Sequence, residues 1–377
     1  MNSSPRLRRF TRVAAIGLVL FVSVLLALLL GEVAIRIGAP QQLIQIRPDL
    51  WEPVDTLGWN RRANVSGQIN TGERTVTLQS DAKGYRVGAS GRTEASTQIL
   101  LMGDSFMEAI QVEHEQSTAY VLEQTVAKEL KRPVAVRNGG VTGWSPNQYL
   151  LRTRQLLARD TFAVIVVGIF VGNDAVAYRL DRVPPREPVA RHDLRFPKRF
   201  AWREFVDAVL APVNDGLEVR SHLYVLGKNQ LSTLRMRLGV TADYLPVEYR
   251  RDEATSNRWR NTAAIAADLA RAGAARRVPV VFVLIPERFQ VYPDEFSRYL
   301  KGFGIDSAAV DVDQPSRLLT EAMRAEKLRV VDALAPMRAA AANGPRLYGT
   351  VDQHLSPAGH QALADVIVPE LLPLLRR

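Results

Sequence analysis

Five apolar, β-rich runs recur along the chain: Ile99–Met102, Val134–Val136, Ala163–Val171, Val278–Ile285 and Leu328–Val331. Segments with helical spacing separate or follow them, among them Ala119–Leu130, Asn261–Arg271 and a closing stretch from about Pro357 to Leu372. Continuous apolar runs suit strands buried on both faces, and strands alternating with helices predict an α/β fold with a mainly parallel sheet covered on both sides.

Three regions stand outside that rhythm. Arg6, Arg8, Arg9 and Arg12 precede an uncharged run, Val13 to Gly31, that is long enough to cross a bilayer. The only plausible Ala cleavage position, Ala39, is followed by Pro40, so the expectation is an uncleaved anchor rather than a signal peptide. The expected division is a cytoplasmic basic tail over 1–12, a transmembrane anchor over 13–37, and everything after it outside the inner face. Residues 38–97 are rich in Pro, Gly and polar residues, with short alternating pieces such as "RTVTLQSD", and predict an extended connector with a hairpin lying on the main domain. Within the catalytic domain expected over 98–377, residues 178–257 read as an insertion. From Arg179 to Arg203 it carries eight Lys/Arg against three acidic residues, which suits a solvated face or contact with anionic polysaccharide or lipid headgroups.

The 377-residue chain has a formal charge of +10. Four of those charges are the N-terminal arginines, and the rest form no dense basic run with interleaved aromatics, which argues against nucleic-acid binding. Cysteine is absent, so disulfides, thiolate metal sites and a cysteine nucleophile are excluded. Neither a Walker-type loop nor a Gly-x-Gly-x-x-Gly loop occurs, so no nucleotide cofactor is expected. His114, His192 and His222 have no metal-ligand partners at useful spacing and no metal is expected; His360 reads as a packing or capping residue.

In an open parallel sheet, ligands bind beyond the carboxyl ends of the strands. "ILLMGDSFMEA" places Ser105 at such an end, where a helix begins. A serine hydroxyl needs a base, an orienter for that base, and donors for the developing oxyanion. His354 lies in "YGTVDQHLSPAGH", with Asp352 two residues upstream; "GND" delivers Asn173 after the third run, and "NGGVTGWS" offers Gly143. Arg288 and Tyr292, in "LIPERFQVYP", are candidate substrate-binding residues, while Asp104 and Asp174 read as structural.

Taken in order, Gly103-Asp104-Ser105, Gly143, Gly172-Asn173-Asp174 and Asp352 with His354 resemble the four blocks of the SGNH (GDSL-like) hydrolase family, in its membrane-anchored bacterial form. The resemblance spans about Ile99 to Ala364, with a lead-in at "LQSDAKGYR". It implies a three-layer flavodoxin-like fold, Ser105 as nucleophile, His354 as general base then acid, Asp352 as its orienter, and Ser105 N–H, Gly143 N–H and the Asn173 amide as the oxyanion hole. The Asp-to-His spacing of two departs from the usual three, as in alginate O-acetyltransferase-like relatives.

The expected activity is a membrane-anchored serine esterase acting in the periplasm or outside the cell on an acyl, chiefly acetyl, ester of a glycan or lipid. An O-acyltransferase modifying an exported polysaccharide with the same triad, in company with a membrane acyltransferase, is the alternative. A non-catalytic glycan-binding or assembly protein is a third.

Overall fold

The computed structural model describes residues 5–41, 43, 49–71, 73–91, 94–184, 213–214, 216–218, 220–237, 247–303, 305–350 and 352–376. The chain divides into two compact units, one from 1–44 with 192–235 and the other from 45–191 with 236–377. His192 and all but the first residues of the basic tract lie outside the described residues.

The first unit contains helix α1, Pro5–Gly38. Its stretch Arg12–Gly38 has a mean hydropathy of 3.0 and is long and apolar enough to cross a membrane. Glu32 near its end accepts hydrogen bonds from the Ser221 hydroxyl (2.8 Å) and from the N–H groups of His222 (3.0 Å) and Leu223 (2.9 Å). These donors open the helix His222–Arg237, so a carboxylate of α1 satisfies N–H groups that have no partner inside that helix.

The second unit is built on an eight-stranded sheet. In chain order its strands follow a separate two-stranded hairpin, β1 (Trp51–Val54) and β2 (Gly58–Arg61). They are β3 (Ser66–Asn70), β4 (Thr75–Ser80), β5 (Arg86–Val87), β6 (Thr97–Met102), β7 (Val134–Asn138), β8 (Val164–Phe170), β9 (Val280–Ile285) and β10 (Val330–Asp332). The order across the sheet is β10-β9-β8-β6-β7-β5-β4-β3. The five strands anticipated from the apolar runs, β6 to β10, are parallel. Three antiparallel strands extend the sheet beyond β7. The hairpin expected to lie on the domain therefore continues its sheet, with "RTVTLQSD" supplying β4.

Alternate residues of the parallel strands face two helical layers. Ile99, Leu101, Val164, Val166, Val281 and Val283 pack in one cluster with Leu122 and Val126 of Thr118–Leu130 and with Leu363, Ile367 and Leu371 of Pro357–Leu375. Leu100, Met102, Ile165, Val167, Phe282 and Leu284 point the other way and are equally buried, on the side where Pro146–Leu157 packs on Glu253–Ala274, and that helix on Gln314–Ala325. Burial on both faces is what the unbroken Val/Ile/Leu runs require. Glu253–Ala274 begins inside the segment read as an insertion, because Asp252 caps it by accepting from the N–H of Thr255 at 2.7 Å.

Strand β6 lies between β7 and β8, the strands that follow it in the chain. Its carboxyl end is thus a switch point of the parallel sheet, where the chain leaves first to one side and then to the other and a crevice opens.

Candidate active site

Ser105 follows that end of β6 and opens a four-residue helix, Ser105–Glu108. Asp104 caps it, accepting from the N–H of Phe106 at 2.9 Å. At the far end Ala109 turns into the left-handed region at φ 60°. The guanidinium of Arg86, from β5, then donates to the carbonyls of Glu108 (2.7 Å), Ala109 and Val112 (2.6 Å). A buried cation at a helix C-terminus satisfies orphan carbonyls and suits the dipole there.

The structure brings the three expected triad residues together. Nε2 of His354 stands 2.8 Å from Oγ of Ser105. Oδ1 of Asp352 meets Nδ1 of His354 at 2.5 Å and accepts the His354 backbone N–H at 3.0 Å. The short Asp-to-His spacing is accommodated because one carboxylate oxygen takes both contacts. The imidazole tilts against Phe106 at 4.7 Å between centroids, and Phe106 stacks on Phe170 at 3.8 Å. The imidazole thus rests on a pair of stacked aromatic rings.

The candidate oxyanion donors come from two loops beside Ser105. The loop after β7 is pinned to the serine turn by the Val141 N–H, which donates to the Gly103 carbonyl at 3.1 Å. Gly143 stands at φ +76° in the turn Val141–Trp144, a conformation glycine adopts without steric penalty. Asn173 follows β8. Burial pushes the Asp104 carboxyl up to about 6, against the opposing pull of hydrogen bonds from the Phe106 N–H and the Asn173 amide. Asp174 anchors the Asn173 loop from below, accepting from the N–H of Phe170 (2.9 Å) and from the hydroxyl of Tyr149 (3.0 Å). Burial and the nearby Asp104 charge hold its carboxyl well above the ordinary range. Asp104 and Asp174 thus take the structural places expected of them.

Arg288 and Tyr292 fare differently from one another. Arg288 lines a cavity of about 290 Å³ with Phe170, Gly172, Tyr249, Phe289 and Gln353, and pairs with Glu295 at 3.3 Å. Tyr292 is occupied elsewhere: its hydroxyl accepts the Leu347 N–H at 2.9 Å and its ring carries the Arg346 guanidinium at 4.7 Å. It supports the loop leading to His354 rather than the cavity.

Several residues around the site had no signal in the sequence. Glu73, at the tip of the β3–β4 hairpin, accepts from the hydroxyl (2.7 Å) and the N–H of Thr350 in the His354 loop. Gln111, 6% exposed and with neither amide atom hydrogen-bonded among the described residues, lines a narrow crevice with Arg74, Asp352 and His354. Glu108 forms a fully buried ion pair with Arg61 of β2 at 3.0 Å. Each contact joins positions tens of residues apart, and no periodicity or motif links them. Among the described residues no group of three or more His, Asp or Glu stands where it could hold a metal ion. His360, as expected, packs: it is buried, with Nδ1 2.9 Å from the Thr118 hydroxyl.

Residues 244–375 match the family described as SGNH hydrolase-like domain, acetyltransferase AlgX. No curated protein matches the chain. Among solved structures, TesA is 16% identical with a TM-score of 0.39, over 74% of this chain and 99% of that one. An Axe2 mutant, an acetyl-xylooligosaccharide esterase from Geobacillus Stearmophilus, is 12% identical with a TM-score of 0.37, covering 74% and 96%. The lipase/acylhydrolase from Enterococcus faecalis is 14% identical with a TM-score of 0.37, at the same coverage.

Proposed function

Because this chain carries an SGNH hydrolase-like domain, we propose that it is a serine esterase that removes an acyl group, chiefly acetyl, from a glycan or lipid through an acyl-enzyme. The observation that carries the reading is the continuous relay from Asp352 through His354 to Ser105. His354 Nε2 takes the proton as Ser105 Oγ attacks the ester carbonyl. Ser105 N–H, Gly143 N–H and the Asn173 amide receive the oxyanion. His354 then gives its proton to the departing alcohol, and Asp352 holds the imidazolium in place between the two transfers. In the second half-reaction Nε2 deprotonates the acceptor that attacks the acyl-enzyme.

One observation favours transfer over hydrolysis as the second reading: the matching family is described as an acetyltransferase. With a sugar hydroxyl as acceptor in place of water, the same residues acylate an exported polysaccharide, with a membrane acyltransferase as donor-side partner. The apolar helix Arg12–Gly38 and the arginines before it support a single-pass inner-membrane anchor with the catalytic unit in the periplasm or outside the cell.

The test is turnover of 4-nitrophenyl acetate by the full-length protein in detergent, beside Ser105→Ala and His354→Ala, with fluorophosphonate labelling in parallel. Turnover lost in both variants supports the esterase. Labelling of Ser105 without turnover favours transfer, and neither turnover nor labelling overturns both readings.

A further inference from the structure

Trp59, on β2, lies outside every sequence block that carries the site. Its indole Nε1–H donates to the carbonyl of Thr142 at 2.9 Å, and the indole of Trp144 donates to the Trp59 carbonyl at 2.8 Å. The Thr142 N–H donates to one carboxylate oxygen of Glu108. The other oxygen receives Nε of Arg61 (3.0 Å) and Nε1 of Trp51 (3.2 Å), and Arg61 also donates to the carbonyl of Gly140. The hairpin β1–β2 thus holds two backbone carbonyls of the Gly140–Gly143 loop directly, and Glu108, itself held by the hairpin's Arg61 and Trp51, takes the Thr142 N–H.

The Thr142 carbonyl matters most. Trp144 N–H donates to the Val141 carbonyl at 3.2 Å, closing a turn with Gly143 at φ +76° in its third position. Positive φ there marks a type II turn, and rotating the central peptide converts it to type I. Glycine tolerates either form. The central peptide joins Thr142 to Gly143. In a planar trans peptide the C=O and N–H point in opposite directions, so whatever holds the Thr142 carbonyl aims the Gly143 N–H.

We propose that Trp59 is a positioning residue: by holding the Thr142 carbonyl it keeps the Gly143 N–H turned to the oxyanion, while Arg61 and Glu108 fix the peptides that precede it. The proposal rests on the reading of Gly143 as an oxyanion donor.

Trp59→Phe keeps a ring and deletes the donor. In full-length protein, with rates taken per site titrated by fluorophosphonate, kcat for 4-nitrophenyl acetate falls roughly 10- to 100-fold, less than removal of a whole donor. KM stays within about 2-fold, and the pH midpoint of kcat/KM does not move. In a Gly143→Ala background the same substitution adds little, because both act on one N–H; a purely structural loss would multiply through. Unchanged kcat, or full multiplication, overturns the proposal. Should Trp59→Phe not fold, a crystal structure of phosphonylated wild type decides: Gly143 N–H bonded to the phosphonyl oxygen, with Trp59 on the Thr142 carbonyl, supports it. A Thr142 carbonyl turned off the indole overturns it. Turnover surviving Ser105→Ala would instead sink the serine reading, a separate failure.

Discussion

One oxygen of Asp352 receives both the backbone N–H and the ring Nδ1 of His354, so a single carboxylate fixes the loop and the imidazole it carries. Asp352→Asn is expected to lower kcat roughly 1,000- to 10,000-fold, because the amide favours the wrong tautomer of the ring. KM should hold. Steady-state kinetics on the full-length protein check this, and a loss below about 10-fold would assign the orienting role to another group.

Gly140 is packed against the helix Ser105–Glu108. A Cβ there would sit 2.7 Å from the Glu108 nitrogen and 2.9 Å from the Met107 carbonyl carbon, both backbone atoms that cannot swing away. Gly140→Ala should therefore cost about 1–3 kcal/mol of stability and reduce kcat as the Gly140–Gly143 loop is pushed off Ser105. Thermal unfolding beside kinetics tests both; a variant as stable and active as wild type would show that the loop can shift freely.

Asp104 keeps its proton in the folded state up to about 6, whereas an unfolded chain releases it near the ordinary 3.8. Between those values the native state binds more protons, so this group's contribution to stability falls as pH rises. Asp104→Asn retains the cap on Phe106 and removes the buried charge. Its stability relative to wild type should climb across that window and level off above it, measured by urea unfolding at several pH values. A pH-independent difference would contradict the buried-carboxyl account.

His360 works in the opposite direction. Burial, with the charges of Arg86 and His354, pushes its imidazole down to about 3. An unfolded chain protonates it near the ordinary 6.5, so stability is lost as pH falls from there toward the folded value. His360→Gln, which keeps an acceptor for Thr118, should lose less stability than wild type on going from about pH 7 to about pH 4. Equal losses in the two proteins would place the acid sensitivity elsewhere.

Much of the architecture was legible because its causes are local. The β6 run Ile99–Met102 is apolar at every position since it is buried on both faces, and an unbroken run ending in Gly-Asp-Ser announces a strand meeting a helix. Asp352 and His354 were legible as a pair through proximity in the chain. The role of Trp59 was not, since its partner Thr142 lies 83 residues away and a tryptophan in a polar connector carries no pattern. Nothing in the sequence marks Glu108 either, and only the folded chain shows Arg61 and Trp51 converging on it. The partner of Tyr292 was not legible either: its hydroxyl accepts the N–H of Leu347, 55 residues along the chain.

The antiparallel strands beyond β7 also settle where this chain can be divided. A fragment starting at residue 98 would bare the flank of β7 that pairs with β5, an open edge of the kind that recruits other strands. It would also remove the contacts of Arg61 and Arg86 with the helix Ser105–Glu108. The stretch matched to the acetyltransferase family, 244–375, contains His354 but not Ser105. A cut at either border would therefore separate residues that the fold brings together, so the lead-in and the sheet form one structural piece.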